Sequence, residues 1–176
     1  MSNTATSPVP RITVFVIDDD QQVRRGLCEF LEGDPDLAVV GVAGSVADAL
    51  QRIPAAAPDV AVVPVRLSDG SGIDLCRALL TSSPGLHCLM LDGYLSEETM
   101  LDAMLAGASG YLVKDLKSTE LPGVIKDIGA GKSLLDNRGM AVLMKKLAVR
   151  AVRAGALAGE LRPDNRRRRC RGCARR

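Results

Sequence analysis

The sequence predicts an α/β protein in which five parallel strands form one sheet with helices on both faces. Apolar segments rich in β-branched residues alternate with amphipathic helical segments five times along the chain. A hydrophobic fraction of 47% over 176 residues is enough to build one substantial core. Doubly wound sheets of this kind carry their functional residues beyond the carboxyl ends of the strands. That edge is therefore where chemistry is expected.

The first predicted strand spans 11–17 and is followed by a helix that begins at Gln21. RITVFVI is a continuous apolar run, which is typical of a strand buried on both faces. It stops at the three aspartates 18–20, of which Asp20 is suited to cap the helix. The helix is expected to end near Gly33. Its predicted inward-facing residues are Val23, Leu27, Phe30 and Leu31.

The next two strand–helix pairs repeat the pattern. Their strands are LAVVGVA (37–43) and DVAVVPV (59–65). Ser45 is expected to cap the second helix, with Asp48 three residues later as in a capping box. The loop 67–72 leads into the third helix, whose predicted apolar positions are Ile73, Leu75, Cys76 and Leu79.

The last two pairs complete the sheet. Their strands are LHCLML (86–91) and GYLV (110–113). The fourth helix begins at Ser96 and carries two glutamates in its first turn, where the helix dipole favours acidic groups. The fifth helix is expected over 118–130. The predicted inward-facing residues of the fourth helix are Met100, Met104 and Leu105.

Charge is distributed unevenly along the chain. The net charge is +2, but residues 162–176 hold eight arginines and one aspartate, so this tail carries +7 and leaves −5 for the rest. A basic tail can neutralise phosphates, although no aromatic residue lies within it to stack on bases. Weak, non-specific binding of nucleic acid is therefore expected through Arg166, Arg167, Arg168 and Arg169.

Other classes of protein are disfavoured. No apolar run is long enough to cross a bilayer, and no secretory signal opens the chain. Five cysteines, an odd number, argue against a disulfide framework. Cys170 and Cys173 lack further zinc ligands, because the one histidine, His87, lies in a predicted strand. A cytoplasmic protein without a membrane partner is expected.

Four motifs in order resemble the receiver domain of two-component response regulators. They are IDDDQQVRRGL, PDVAVVPVRLSDGSGIDLC, LMLDGYLSEE and ASGYLVKD. The chain is most similar to the NarL/LuxR class, and within it to the dormancy-survival (DevR/DosR-type) regulators. GAGKSLLDNRGMAVLMKKL extends the resemblance, which covers residues 11–149. It implies a flavodoxin-like sheet of order 2-1-3-4-5, followed by a C-terminal linker helix.

The resemblance also implies a site for phosphoryl transfer to a strand-end aspartate, in a signalling protein that is not an enzyme. By its motifs, Asp18 and Asp19 are the acidic pair that holds Mg²⁺ in the family. Lys114 matches the cation that neutralises the phosphoryl group, and Tyr111 matches the aromatic residue that moves between signalling states.

Two positions depart from the family pattern. Pro64 stands where the family has its phosphate-accepting aspartate, so this position offers neither a nucleophile nor a metal-binding oxygen. A proline also lacks the N–H of a central strand, so it fits only where the strand frays. Asp92 replaces the threonine or serine of the family, and it is expected within reach of Lys114, with which it can form an ion pair. The pocket formed by Asp18, Asp19 and Asp92 is then acidic, with metal binding weak or lost.

These departures favour one function and leave two others open. The favoured function is an atypical receiver that acts without phosphorylation or a cofactor, as a signalling or protein-interaction module in transcriptional regulation. Its expected partner is a sensor kinase or another regulator. The first alternative is a DNA-binding regulator of the NarL/LuxR class. The second is a receiver phosphorylated on a substitute carboxylate, for which Asp92 is a candidate, whereas Asp69 is better explained as a turn residue.

The expected division of the chain is a flexible leader (1–10), the receiver (11–131), an amphipathic linker helix (132–155) and a disordered Arg-rich tail (156–176). No helix-turn-helix pattern follows the linker, which favours a truncated or frame-altered regulator. The linker is expected to pack on the receiver or on a second copy in a homodimer, because a helix of this length is not stable alone. Its apolar stripe is Met140, Leu143, Met144 and Leu147.

Overall fold

A computed structural model describes residues 10–94, 96–114 and 120–132 of the chain. Its elements in chain order are β1 (Ile12–Ile17), α1 (Gln21–Glu32), β2 (Leu37–Ala43), α2 (Val46–Ala56), β3 (Val60–Pro64), β4 (Arg66–Leu67), β5 (Gly70–Ser71), α3 (Gly72–Ser82), β6 (His87–Asp92), α4 (Glu97–Leu105), β7 (Gly110–Val113) and α5 (Leu121–Gly129).

Five strands pair in parallel in the order β2-β1-β3-β6-β7. The strands β4 and β5 form a separate antiparallel hairpin, so the five long strands have the predicted order 2-1-3-4-5. The predicted flavodoxin-like, doubly wound fold is confirmed. The hairpin itself was not predicted; its turn is formed by Ser68 and Asp69.

The sheet is buried on both faces, as its continuous apolar strands predict. Along β1, Phe15 and Ile17 belong to one core cluster, whereas Val14 and Val16 belong to the other. Residues of α2, α3 and α4 complete the first cluster, and residues of α1 and α5 complete the second. The helices therefore lie on opposite faces of the sheet and leave its carboxyl edge to the loops.

Two helices bury fewer of the predicted residues than expected. On α1, Leu31 is buried and Leu27 is half-buried, but Val23 and Phe30 are 38% and 37% exposed. On α4, Leu105 is 53% exposed, and the buried positions are Leu101 and Ala103. The predicted stripe of α1 was therefore too wide, whereas on α4 the buried residues are not the predicted ones, because periodicity alone does not fix which apolar neighbours face the sheet.

Side-chain caps fix where the helices begin. The carboxylate of Asp20 accepts hydrogen bonds from the amides of the first turn of α1, which confirms the predicted cap. Ser45 Oγ accepts the amide of Asp48 at 3.1 Å. Asp69 lies in the turn between β4 and β5, as expected, and its carboxylate also accepts the amide of Val46 at 2.9 Å, so that it caps α2 from the hairpin. That hydrogen bond lowers the pKa of Asp69.

Several expectations concern segments outside the described residues. The leader up to residue 9, the linker from residue 133 and the arginine-rich tail stay predictions, as do the apolar stripe of the linker and the homodimer it implies. Within the described part of the chain, no helix is long and apolar enough to cross a membrane.

Candidate functional site

The candidate site lies where four neighbouring strands of the sheet end. Asp18 and Asp19 follow β1, and Pro64 and Asp92 are the last residues of β3 and β6. Lys114 follows β7. Because these strands are adjacent and parallel, their carboxyl ends come together at one edge, as the sequence predicts. A cavity of about 200 Å³ opens there between Pro64, Asp92 and Lys114.

Asp18 is the most enclosed acidic group of the site, with a side chain that is 4% exposed. Its Oδ2 accepts a hydrogen bond from Lys114 Nζ at 2.5 Å, and its Oδ1 accepts the amide of Asp20 at 3.0 Å. The guanidinium group of Arg24 donates to the main-chain oxygen of Asp18. The carboxylate of Asp18 is thus paired with Lys114, while Arg24 binds its main chain.

The expected ion pair between Asp92 and Lys114 is wrong, because Lys114 binds Asp18 instead. Both carboxylate oxygens of Asp92 are already used. Its Oδ1 accepts the amide of Gly93 at 2.7 Å, and its Oδ2 accepts the hydroxyl of Tyr111 at 2.6 Å. Lys114 meets Asp92 through its backbone alone, since its amide donates to the Asp92 carbonyl at 2.6 Å. The side chain of Lys114 therefore reaches past Asp92 to the end of β1.

Tyr111 lies half-buried on β7, and its ring packs against the core cluster that contains Phe15. Its hydroxyl also lies 3.4 Å from the carbonyl of Tyr94, in the loop after β6. Burial raises the pKa of the Tyr111 phenol, and the hydrogen bond to Asp92 raises it further. An ionised phenol would face the Asp92 carboxylate, so the neutral form is favoured.

The contact with Asp92 predicts that the Tyr111 phenol ionises at a higher pH than a free phenol. In a Tyr94→Phe variant the single remaining phenol is that of Tyr111, and its absorbance is expected to titrate above the ordinary pKa of 10.0. Asp92→Asn is expected to move that titration back towards 10.0, because the negative neighbour is gone. A phenol whose pKa is raised in the folded state stabilises the protein below its ordinary pKa. This stabilisation is lost as the pH rises through the raised value. Identical titration curves for the two variants would contradict the contact.

Pro64 fits the end of β3 without loss of a ladder hydrogen bond. It is buried and lies opposite Leu91 of β6. The amide of Val65 donates to the Leu91 carbonyl at 2.9 Å, so the preceding nitrogen, that of Pro64, faces β1. The pairing of β1 with β3 ends at Val16 and Val62, before this position. The expectation that the strand frays at Pro64 is thereby confirmed on the β1 side.

The β4–β5 hairpin closes the site from the side of β1. Asp19 is exposed, and its Oδ2 accepts the amide of Ser68 in the hairpin turn at 2.9 Å. At the opposite side, the guanidinium of Arg66 donates to the hydroxyl of Tyr94 at 2.9 Å. Neither contact was predicted, since both depend on the path of a loop and no local sequence signal specifies it.

The residues present do not fit the Mg²⁺ that the resemblance implies. Both oxygens of Asp18 and one oxygen of Asp19 are held by donors of the chain. Mg²⁺ is bound in proteins through carboxylate and other oxygen ligands. Pro64 has no side-chain oxygen, so it cannot supply such a ligand. Among the residues that the structure describes, no group of three or more His, Cys, Asp or Glu side chains is placed to hold a metal ion.

Comparison with known proteins gives consistent matches. The response regulator receiver domain model matches residues 14–126. The chain is 59% identical over 148 residues to the DNA-binding transcriptional activator DevR/DosR of Mycobacterium tuberculosis, a match covering 84% of this chain and 68% of that protein. It is 26% identical to the transcriptional regulatory protein LiaR of Bacillus subtilis, covering 77% of this chain and 64% of LiaR.

Solved structures with the same architecture include two response regulators. One is a two-component response regulator of the LuxR family from Aurantimonas sp. SI85-9A1, with a TM-score of 0.70 and 25% identity over 78% of this chain and 99% of that chain. The other is the signal receiver domain of NarL from Mycobacterium tuberculosis, with a TM-score of 0.67 and 28% identity over 70% of this chain and 100% of that chain.

Proposed function

The chain belongs to the response regulator receiver family, and we propose that it acts as a receiver module of a transcriptional regulator whose signalling does not depend on phosphorylation. The observation that carries this proposal is Pro64 at the end of β3, where the family motif has its phosphate-accepting aspartate. Proline has no side-chain oxygen to accept a phosphoryl group.

The surroundings of Pro64 support the same conclusion. Asp92 presents a carboxylate at the end of the neighbouring strand, which repels a phosphoryl group electrostatically. Lys114, the cation expected to neutralise that group, is bound to Asp18. The lysine of the site is therefore already paired, and a phosphoryl group would have to displace its contact with Asp18 to bind it.

The role in transcription is proposed from the relatives. DevR/DosR is a DNA-binding transcriptional activator, and the match to it covers 68% of its length. We propose that this chain interacts with a sensor kinase or another regulator in the cytoplasm, and that it has no catalytic activity and no resident cofactor. DNA binding of the NarL/LuxR type remains the alternative function.

Incubation with acetyl phosphate and Mg²⁺ tests the proposal. We expect the intact mass of the wild-type protein to remain unchanged, because Pro64 offers no nucleophile. Pro64→Asp alone should gain little phosphorylation. Pro64→Asp with Asp92→Thr should gain more, because groups that share one site act non-additively. A phosphoryl adduct on an aspartate of the wild type, located by peptide mapping, would contradict the proposal and support a substitute carboxylate.

Magnesium gives a separate prediction. Millimolar Mg²⁺ is expected to leave the Tm of the wild type unchanged, because Lys114 and backbone amides bind three of the four carboxylate oxygens of Asp18 and Asp19. A Pro64→Asp, Lys114→Met double variant provides a third carboxylate and frees Asp18, so Mg²⁺ should stabilise it. The measurement is thermal unfolding in a magnesium salt, compared with a sodium salt at the same ionic strength. A higher Tm of the wild type in Mg²⁺ than in Na⁺ would show that the site binds the metal.

A further inference from the structure

We infer that Asp92 and Tyr111 form a latch, a side-chain contact that fixes the loop between β6 and α4 against β7 with no phosphoryl group bound. The inference rests on the proposed function, because a latch has regulatory meaning only in a signalling domain. The latch concerns the conformation of the loop after β6. The proposed function concerns the absence of a residue that can accept a phosphoryl group.

The contact is short, and its acceptor is a buried carboxylate. The Tyr111 hydroxyl lies 2.6 Å from Asp92 Oδ2, and Asp92 is 8% exposed. Hydrogen bonds from a hydroxyl to a carboxylate are among the stronger ones in proteins, and at this length the bond is of that kind. Because Asp92 is buried, water cannot easily replace the tyrosine hydroxyl, so opening the latch leaves the Asp92 carboxylate poorly solvated.

The chemistry of an aspartate at position 92 makes the latch possible. A carboxylate has two acceptor oxygens, so Asp92 accepts the amide of Gly93 at 2.7 Å and the hydroxyl of Tyr111 at the same time. The hydroxyl of a threonine or serine has a single oxygen and a shorter reach. Asp92 therefore holds the start of the loop and the ring of Tyr111 together, which one hydroxyl does less well.

Further hydrogen bonds connect the latch to Tyr94 in the loop and to Arg66. The Tyr111 hydroxyl approaches the Tyr94 carbonyl at 3.4 Å, and the Tyr94 hydroxyl accepts a hydrogen bond from Arg66 at 2.9 Å. The amide of Lys114 donates to the Asp92 carbonyl at 2.6 Å, which completes the pairing of β7 with β6. The ends of β6 and β7 are thus joined by the side chains of Asp92 and Tyr111, and Arg66 of β4 binds the loop through Tyr94. The latch thereby favours one arrangement of the surface around Tyr94, which is the surface that a protein partner would meet.

Tyrosine fluorescence can report on the latch without a label. The chain contains two tyrosines and no tryptophan, so in a Tyr94→Phe variant all the emission comes from Tyr111. A phenol that donates a hydrogen bond to a carboxylate fluoresces less than a free phenol. We expect weak emission from the Tyr94→Phe protein and an increase of at least about twofold when Asp92→Ala is added. Asp74→Ala, which removes an exposed aspartate on α3, is the matched control and should change nothing.

Two further measurements keep the test decisive. If Asp92→Ala does not fold, as judged by circular dichroism, Asp92→Asn replaces it and should give a smaller increase. We also compare the NMR spectra of the wild type and of Tyr111→Phe, a change that removes the hydroxyl and keeps the ring. The amide resonances of residues 93–94 and 110–114 are expected to differ between the two proteins. Emission that is insensitive to both Asp92 variants, or resonances that do not move, would overturn the latch.

The outcomes separate the latch from the proposed function. A phosphoryl adduct without any change in Tyr111 emission would contradict phosphorylation-independence and leave the latch in place. An unchanged mass with Tyr111 emitting as a free phenol would leave the proposed function in place and overturn the latch. When both inferences hold, acetyl phosphate changes neither the mass nor the emission.

Discussion

Gly72→Ala is expected to destabilise the protein by about 3 kcal/mol or more, because overpacking against backbone cannot be relieved by a side-chain movement. A Cβ atom at Gly72 would lie 1.7 Å from the carbonyl oxygen of Pro64 and 2.8 Å from its carbonyl carbon. Neither segment can easily move away. The amide of Gly72 donates to the Val65 carbonyl, and the amide of Val65 donates to Leu91, both at 2.9 Å. The steric clash is therefore with the end of β3, where the candidate site lies.

Urea unfolding measures this effect, and two other glycines provide controls. A Cβ at Gly26 in α1 or at Gly123 in α5 would meet nothing within 4 Å. Alanine in a helix is more favourable than glycine by about 1 kcal/mol, so both controls should be neutral or slightly stabilised. A Gly72→Ala protein as stable as Gly26→Ala would mean that α3 does not begin in contact with Pro64.

The strand order and the edge that carries the site were predictable because they depend on patterns that a linear sequence displays. Continuous apolar strands alternating with helices require a parallel sheet, and the motifs around Asp18, Pro64, Asp92 and Lys114 place each residue at a strand end. The constraint on Gly72, by contrast, arises from a loop that brings two backbones together.

The partners of the charged side chains could not be predicted in the same way. The sequence placed both Asp18 and Asp92 near Lys114, and the choice between them depends on distances of a few ångströms. In the structure the Tyr111 hydroxyl binds Asp92 Oδ2, whereas Lys114 Nζ binds Asp18 Oδ2. The exposure of Val23 on α1 was missed for a related reason, since helical periodicity gives the direction of the buried face and not its width.

Lys114→Met is expected to lower the free energy of unfolding by on the order of 2 kcal/mol, because it leaves the carboxylate of Asp18 buried without its main partner. The side chain of Asp18 is 4% exposed, whereas that of Lys114 is 34% exposed, so water reduces the loss below that of a fully buried pair. Asp18→Asn in the Lys114→Met background should then cost less than it does in the wild type. Urea unfolding of the four proteins gives the coupling energy of the pair.

A second cycle with Asp92 distinguishes the two possible partners of Lys114. Lys114→Met and Asp92→Asn are expected to act almost additively, within about 0.5 kcal/mol, because their side chains do not bind each other. Tyr111→Phe with Asp92→Asn should instead show coupling, since each change removes one end of the same hydrogen bond. Strong coupling of Lys114 to Asp92, with additivity towards Asp18, would reverse the assignment. It would also place the lysine where a phosphoryl group could compete for it, and so remove the electrostatic support for phosphorylation-independent signalling.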